Sequence, residues 1–306
     1  MADLLSRPGD RRARLRALLD GERPVVAPGA YDALSARLVE QAGFDVVYMT
    51  GFGTTASLLG RPDVGLLGQA EMVDNARRMT GVLDVPLVAD ADTGYGNPIN
   101  VIRTIREYEQ AGVAGLHLED QVMPKKCGHL AGKEVVPLPE MVAKIRAAVD
   151  ARTDPDLVLI ARTDAAQQYG IDAAIERARA FADAGADALF VEAPTSDEAL
   201  EQVASALSGH RLVFNGAEGG RTPLPPLEKL RELGFALVLY PVSTLLAAAS
   251  GVRAMLGRLH EEGSPTGALG DLGAAPGGVG GLDAFTEIVG IEEIRALEVR
   301  YRAREQ

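Results

Sequence analysis

Residues 157–193 read LVLIARTDAAQQYGIDAAIERARAFADAGADALFVEA. The stretch opens on an apolar run that ends in the polar cluster Arg162-Thr163-Asp164. An uninterrupted apolar run suits a parallel strand buried on both faces. Apolar residues then recur at helical spacing from Ile171 to Ala184, and Gly185 stands where a left-handed residue closes a helix. A second apolar run, ALFVEA, ends in Glu192. Strand, helix and strand in that order make a βαβ unit.

The same pattern runs along the chain in both directions. Further apolar runs are RPVVAP (23–28), DVVYMT (45–50), VPLVADAD (85–92), AGLHLED (114–120), RLVFN (211–215) and ALVLYP (236–241). Helical stretches lie between them over Tyr31–Ala42, Gln69–Val82, Pro98–Ala111, Pro139–Ala151, Asp197–Leu207 and Pro226–Leu233. Eight strands alternating with helices over about 240 residues fit an α/β fold of the (β/α)8 barrel type. A doubly wound sheet is the competing arrangement, but no GxGxxG follows the first strand. The barrel is expected over 1–262. The Gly-rich segment 263–282 reads as a linker or mobile loop, and 283–306 as a terminal helix. A linker of that length could carry this helix onto a neighbouring subunit.

The chain has 306 residues and a formal net charge of -12, which argues against a nucleic-acid surface. Its single cysteine, Cys127, excludes an internal disulfide and fits a reducing compartment. The opening MADLLSRPGDRRARLRALL has an early acid and no apolar core, unlike a signal peptide. No stretch of about 18 uncharged apolar residues exists to span a bilayer. A cytoplasmic protein with no nucleic-acid or membrane partner is expected.

Barrel enzymes place their sites at the C-terminal ends of the strands, and those ends are polar here. They carry Thr50-Gly51, Asp90 and Asp92, Glu119 and Asp120, Arg162 and Asp164, Glu192, and Asn215 with Glu218 just beyond. Such a ring of carboxylates needs a cation among them. Oxygen-only donors suit a hard divalent ion, Mg²⁺ or Mn²⁺. Zinc is not indicated, since His117, His210 and His260 show no ligand spacing with Cys127. The alternative for each acid is a helix cap or an ion pair with arginine. Arg162 could clamp a substrate carboxylate bidentately, or pair internally with Glu192 or Asp164. Backbone N–H groups at Thr50, Gly51 and Phe52 could hold another carboxylate.

Cys127 lies in a loop running from the fourth strand to about Pro137, longer than most strand-to-helix connections and so a candidate lid. Lys125, Lys126 and His129 around it would favour a thiolate able to exchange a proton. The plain alternative is a buried cysteine acting as a small hydrophobe.

PGAYDALSARLVEQAGFDVVYMTGFGTTASLLGRPDVG (28–65), VADADTGYGN (88–97), GLHLEDQVMPKKCGHLAGK (115–133), IARTDA (160–165) and EAP (192–194) resemble the isocitrate lyase / phosphoenolpyruvate mutase superfamily. The resemblance runs from about Val26 to Pro241 and on through the final helix. It implies a Mg²⁺-dependent barrel acting on a small carboxylate. Asp90, Asp92 and Glu119 would meet the metal, some through water. Thr50 and Gly51 with Arg162 would hold the pyruvate-like unit, and Asp63 would be a mobile-loop acid. Cys127 would protonate the enolate carbon after C–C cleavage, with Lys125 and His129 tuning it. Tyr48, Phe52, Gly128, Glu192, Asn215 and Glu218 would complete the substrate contacts. A homotetramer with the last helix swapped between neighbours is implied too.

The leading expectation is a lyase cleaving a 2-hydroxy di- or tricarboxylate, of 2-methylisocitrate or 2,3-dimethylmalate type. The alternatives are a carboxyphosphonoenolpyruvate phosphonomutase, an oxaloacetate decarboxylase or a non-catalytic binding barrel. NGAEGGRTP (215–223) resembles the dimethylmalate lyase and phosphonomutase branch.

Overall fold

A computed structural model describes residues 4–5, 10–128, 132–275 and 277–302. The order is α1 (Arg11–Leu19), β1 (Val25–Ala30), α2 (Ala33–Gln41), β2 (Val47–Met49), α3 (Gly51–Leu59), α4 (Gln69–Thr80), β3 (Leu87–Asp90), α5 (Pro98–Gln110), β4 (Gly115–Glu119), α6 (Leu138–Ala151), β5 (Val158–Thr163), α7 (Ala166–Tyr169), α8 (Ile171–Asp183), β6 (Ala188–Val191), α9 (Asp197–Ala206), β7 (Arg211–Asn215), α10 (Leu227–Glu232), β8 (Phe235–Tyr240) and α11 (Ser243–Glu262). The eight strands are parallel, pair in sequence order, and close when β8 meets β1 through Val25↔Leu237 to Pro28↔Tyr240. The expected (β/α)8 barrel is therefore the fold, and the doubly wound sheet is excluded.

Burial follows from the barrel. β2, β3, β4, β5 and β6 are buried at every position, as strands covered by helices outside and side chains inside must be. The interior layer holds Val46, Tyr48, Val88, Val158, Ile160, Phe190 and Val213, and the shell between strands and helices holds Met72, Ile105, Tyr108, Ile145 and Phe181. Capping fixes the helix starts. Asp32 and Ser35 exchange hydrogen bonds at the head of α2, and Asn97 and Asn100 do so at the head of α5, where Pro98 occupies the first turn.

Within the barrel, three elements have no counterpart in the sequence reading. α1 precedes β1 and is anchored through arginines. Buried Arg11 donates to the carbonyls of Thr80 (2.8 Å) and Leu83 (2.9 Å), capping the end of α4. Arg12 donates to the carbonyl of Glu109 and pairs with Asp154. α3 and the single turn of α7 are the other two.

The chain forms two compact units, with the boundary at Thr244–Leu245 rather than at 262. The second unit holds the rest of α11, α12 (Thr266–Ala274), α13 (Leu282–Ile288) and α14 (Ile291–Tyr301). The segment expected as linker thus contains a nine-residue helix, since its TGALGDLGA stretch places leucines and alanines between the glycines. The terminal helix is broken at Val289-Gly290, where Gly290 adopts φ 85°. Large apolar side chains of this unit lie open, among them Leu282, Val299 and Tyr301. Among the described residues no helix is long and apolar enough to cross a membrane.

Candidate active site

Asp63, Asp90, Asp92, Glu119, Asp164 and Glu192 are all buried at the C-terminal end of the barrel, with Lys125, Lys133 and Arg162 among them. Strand alternation sorts the polar pair on β4. Glu119 faces inward and Asp120 outward, as successive side chains on a strand must. Asp120 accepts from Thr163 Oγ1 (2.7 Å), Asp164 N (2.9 Å) and Arg177 Nε (2.7 Å). It joins β4, β5 and α8 and is not part of the acidic ring in which the sequence placed it.

Ion pairs bear on two further expectations. Lys125 was to raise the positive charge at Cys127. Its Nζ lies instead 2.7 Å from Asp63 Oδ2 and 2.6 Å from Asp92 Oδ1, so its charge serves the acids. Arg162 was expected either to clamp a substrate carboxylate or to pair internally with Glu192 or Asp164. Its Nε and Nη2 are engaged by Asp164 at 2.8 and 3.0 Å, while Nε lies 3.4 Å from Glu119 and Nη2 3.8 Å from Glu192. The guanidinium stacks on Phe190 at 5.0 Å. The internal ion pair is realised, and Nη1 is the edge left to a ligand.

The acids still outnumber the bases, and burial and the neighbouring charges shift them in different directions. Burial pushes Asp92 up to about 6 against the pull of Lys125, with Asp90 and Asp63 adding to the rise. Burial likewise drives Glu119 well above the usual carboxylate range despite Arg162. Asp90 goes the other way: burial would raise it, but His117, Lys125, Arg162 and the Asp92 N–H together hold it low. His117 is itself lowered to about 4 by burial. Its ring is therefore neutral at pH 7, and Lys125 and Arg162 provide the pull on Asp90 there. His117 Nε2 meets Tyr48 Oη at 2.9 Å, beneath the acids.

Backbone conformation is also unusual here. Among the described residues, the non-glycine residues with positive φ are Asp92 (47°), Tyr95 (60°) and Ala193 (55°). All three follow the ends of β3 and β6, beside the acids, where such conformations must be held by their surroundings. Across from them, Thr50 caps α3, and the first-turn N–H groups of Gly51 and Phe52 have no partner within the helix. A Cβ at 51 would lie 2.4 Å from Asp90 Oδ2, so any larger residue would have to displace that carboxylate.

The described parts of segment 120–137, residues 120–128 and 132–137, form a strap at the mouth. It is tied at its base by Val122 N to Glu134 O and Val136 N to Asp120 O, both 2.8 Å. Cys127 N donates to Asp63 O at 3.1 Å, and the thiol is half-buried. Gly128 packs directly against Glu192 and Arg162, where a Cβ would lie 2.3 Å from Glu192 Oε1 and 2.5 Å from Arg162 Nη2. His129 lies outside the described residues. Asn215 Nδ2 donates to Glu192 at 3.1 and 3.3 Å, and Glu218 accepts from Ser243.

Two residues at the site carry roles that the sequence reading did not give them. Lys133 Nζ bridges Gly128 O (2.5 Å) and Asp164 Oδ1 (2.6 Å). Gln121 donates to Glu119 Oε1 (2.8 Å) and to Lys126 O (2.7 Å). Gln121 stands in the EDQ triplet and Lys133 ends the GLHLEDQVMPKKCGHLAGK motif, but a lone amide and a lone lysine in a polar loop read as solvated.

Among the described residues, no three Asp, Glu, His or Cys side chains gather closely enough to ligate one ion directly. The donor set nonetheless suits a hard divalent cation. It is all oxygen, buried, and in excess of its positive partners, and Asp92 Oδ1 meets Lys125 without a well-directed hydrogen bond. Mg²⁺ keeps several waters, so fewer direct protein ligands are consistent with it.

Residues 15–260 match the family model described as phosphoenolpyruvate phosphomutase. The chain belongs to this family. Within the phosphoenolpyruvate phosphomutase family it is 45% identical over 289 residues to 2,3-dimethylmalate lyase of Eubacterium barkeri, covering 94% of this chain and 97% of that one. It is 46% identical over 261 residues to probable 2-methylisocitrate lyase 1 of Corynebacterium glutamicum, covering 85% of each. Oxaloacetate acetylhydrolase bound to 3,3-difluorooxalacetate superposes with TM-score 0.90 at 39% identity, over 98% of this chain and 100% of that one. Phosphonopyruvate hydrolase in complex with oxalate and Mg²⁺ gives TM-score 0.84 at 30% identity, over 96% and 99%. The expected superfamily is thereby confirmed, and with it an enzyme of the lyase and mutase type.

Proposed function

We propose that this enzyme cleaves a carbon–carbon bond in a 2-hydroxy dicarboxylate or tricarboxylate, giving pyruvate or a related 2-oxo acid and a second carboxylate. The observation that carries the reading is the strap. Cys127 N donates to Asp63 O, and the next residue, Gly128, lies against Glu192 and Arg162. The dimethylmalate and methylisocitrate lyase relatives support the same class of substrate.

Asp90, Asp92 and Glu119 would hold Mg²⁺, or Mn²⁺, in part through water. Bound there, it would supply positive charge against the negative charge that develops on the substrate. The N–H groups of Gly51 and Phe52 and the Nη1 edge of Arg162 would hold the carboxylate and oxygen of the 2-oxo acid half. Once the C2 hydroxyl gives its proton to a carboxylate of the buried acid cluster, its electrons form the carbonyl and the C2–C3 bond breaks. The released pair stays on C3 as the enolate of the second carboxylate. The Cys127 thiol then gives its proton to C3, and Glu192 and Asn215 line that half of the pocket. Gly128 against Arg162 and Glu192 keeps water from protonating C3 early.

The test is an assay of purified protein with Mg²⁺ and either 2,3-dimethylmalate or 2-methylisocitrate, following 2-oxo acid by a coupled dehydrogenase. Turnover that EDTA abolishes is the expected result, and Cys127→Ser should lower it by about 10²-fold or more. Absence of oxo acid from every branched malate would end the proposal. A second reading, hydrolytic cleavage of oxaloacetate to oxalate and acetate, is favoured by the superposition on oxaloacetate acetylhydrolase. The same assay with oxaloacetate separates the two.

The exposed Leu282, Val299 and Tyr301 of the second unit support an oligomer in which these helices pack on a neighbour, in keeping with the expected tetramer.

A further inference from the structure

The loop after β3 carries Asp92 and Tyr95 in left-handed conformations, flanked by Gly94 and Gly96 with φ of 80° and 146°. Something must hold it. From inside the barrel, Asp92 N donates to Asp90 Oδ1 (2.9 Å) and Glu119 N to Asp92 O (2.8 Å). From outside, α5 and α6 supply side chains. Thr104 Oγ1 donates to Gly94 O (3.0 Å), and the buried ammonium of Lys144 donates to Thr93 O (3.3 Å).

The most specific of these contacts is a pair of phenols. Tyr108 Oη lies 3.0 Å from the Asp90 carbonyl and 3.1 Å from Tyr95 Oη. A carbonyl only accepts, so the Tyr108 proton points at Asp90. Tyr95 must then donate to Tyr108. The protons run one way, from Tyr95 through Tyr108 to the Asp90 backbone. Burial holds both phenols well above their ordinary range, so both keep that proton. For packing alone phenylalanine would serve at 108, which is fully buried.

We propose that the Tyr95–Tyr108 hydroxyl pair is a positioning device, which fixes the Asp90 backbone from outside the barrel and so aims the Asp90 and Asp92 carboxylates at the divalent cation. The inference rests on the cation reading above and deepens it. The two hydroxyls meet each other and the Asp90 carbonyl, so they act through the backbone. Because the two hydroxyls act in series, the effect of Tyr95 depends on Tyr108 being present.

The experiment is Mn²⁺ binding to the full chain, followed by electron paramagnetic resonance, for wild type, Tyr108→Phe, Tyr95→Phe and the double variant. Thermal unfolding without metal is recorded alongside. Tyr108→Phe should weaken Mn²⁺ binding about tenfold. Tyr95→Phe should weaken it by less, and the double variant should match Tyr108→Phe, as for a coupled pair. A stability role alone would lower the unfolding temperature and leave the Mn²⁺ affinity of the folded protein unmoved. Tyr108→Phe binding Mn²⁺ within about twofold of wild type, or additive losses in the double variant, would overturn the proposal while the cation reading stood. Failure of wild type to bind Mn²⁺ would overturn both.

Discussion

Lys125 Nζ stands 2.6 Å from Asp92 and 2.7 Å from Asp63, joining the strap to the β3 loop and to the segment after α3. Removing one member of a buried ion pair leaves the other desolvated and uncompensated. Lys125→Met should therefore destabilise the metal-free protein by about 3 kcal/mol, the usual size of such a loss. Saturating Mg²⁺ should recover part of it, since a cation among the acids replaces the missing charge. Unfolding temperatures with Mg²⁺ and with EDTA check this. An unchanged EDTA value would mean that the lysine is not the acids' main partner.

Gly128 offers a steric test of the strap. A methyl group there would meet Glu192 Oε1 and Arg162 Nη2 well inside contact distance. Gly128→Ala must lift the strap or push the clamp aside. A displacement of about 1 Å at a reacting centre can cost 10²-fold in rate. The expected outcome is a kcat/KM lower by about that factor with an unfolding temperature near wild type. Activity close to wild type would show that the strap does not sit this close during turnover.

How far the sequence foretold these relationships follows from their range. The barrel was legible because each strand and helix announces itself over a few neighbouring residues, and eight such units leave few ways to close. Inward-facing acids such as Asp90 and Glu119 were legible because strand ends fix where such residues point, whereas Asp92 lies beyond β3 in a left-handed turn. Partner choice was not. Lys125 and Lys126 are adjacent and alike in sequence, yet one is buried between acids and the other donates to Gly132 O at the surface. Arg162 could meet Glu192 or Asp164 equally well on paper, and chain geometry selects Asp164. α1 escaped because its arginines cap carbonyls far along the chain. TGALGDLGA escaped because its glycines read as a breaker while leucine and alanine carried the helix.

Arg11 provides a control remote from the chemistry. It donates to Thr80 O and Leu83 O at the opposite end of the barrel from the acids. A hydrogen bond from a charged donor contributes about 1.5–3 kcal/mol, and an unmet buried carbonyl costs a comparable amount. Arg11→Met should cost about 2 kcal/mol in denaturant unfolding. At temperatures where the protein stays folded, turnover per folded molecule should match wild type. A loss of turnover would mean that the barrel floor is coupled to the mouth.

Asp164 sets a pH dependence whose sign can be worked out. Burial would raise its pKa, but Arg162 and then Lys133 overcome that and hold it far below the ordinary carboxylate value. In the unfolded chain an aspartate titrates near about 3.9. Between the two values the unfolded state binds a proton that the folded state does not, so stability rises with pH there. The contribution of Asp164 is thus complete above the unfolded value and is lost as pH falls through and below about 4. Asp164→Asn should be less stable than wild type at pH 7, because Arg162 and Lys133 lose their shared anion. Its stability should also fall less steeply from pH 5 to pH 3, so the two unfolding curves converge in acid. Urea titrations at several pH values measure this. Parallel curves for the two proteins would show that Asp164 is not held in its charged form by the pair.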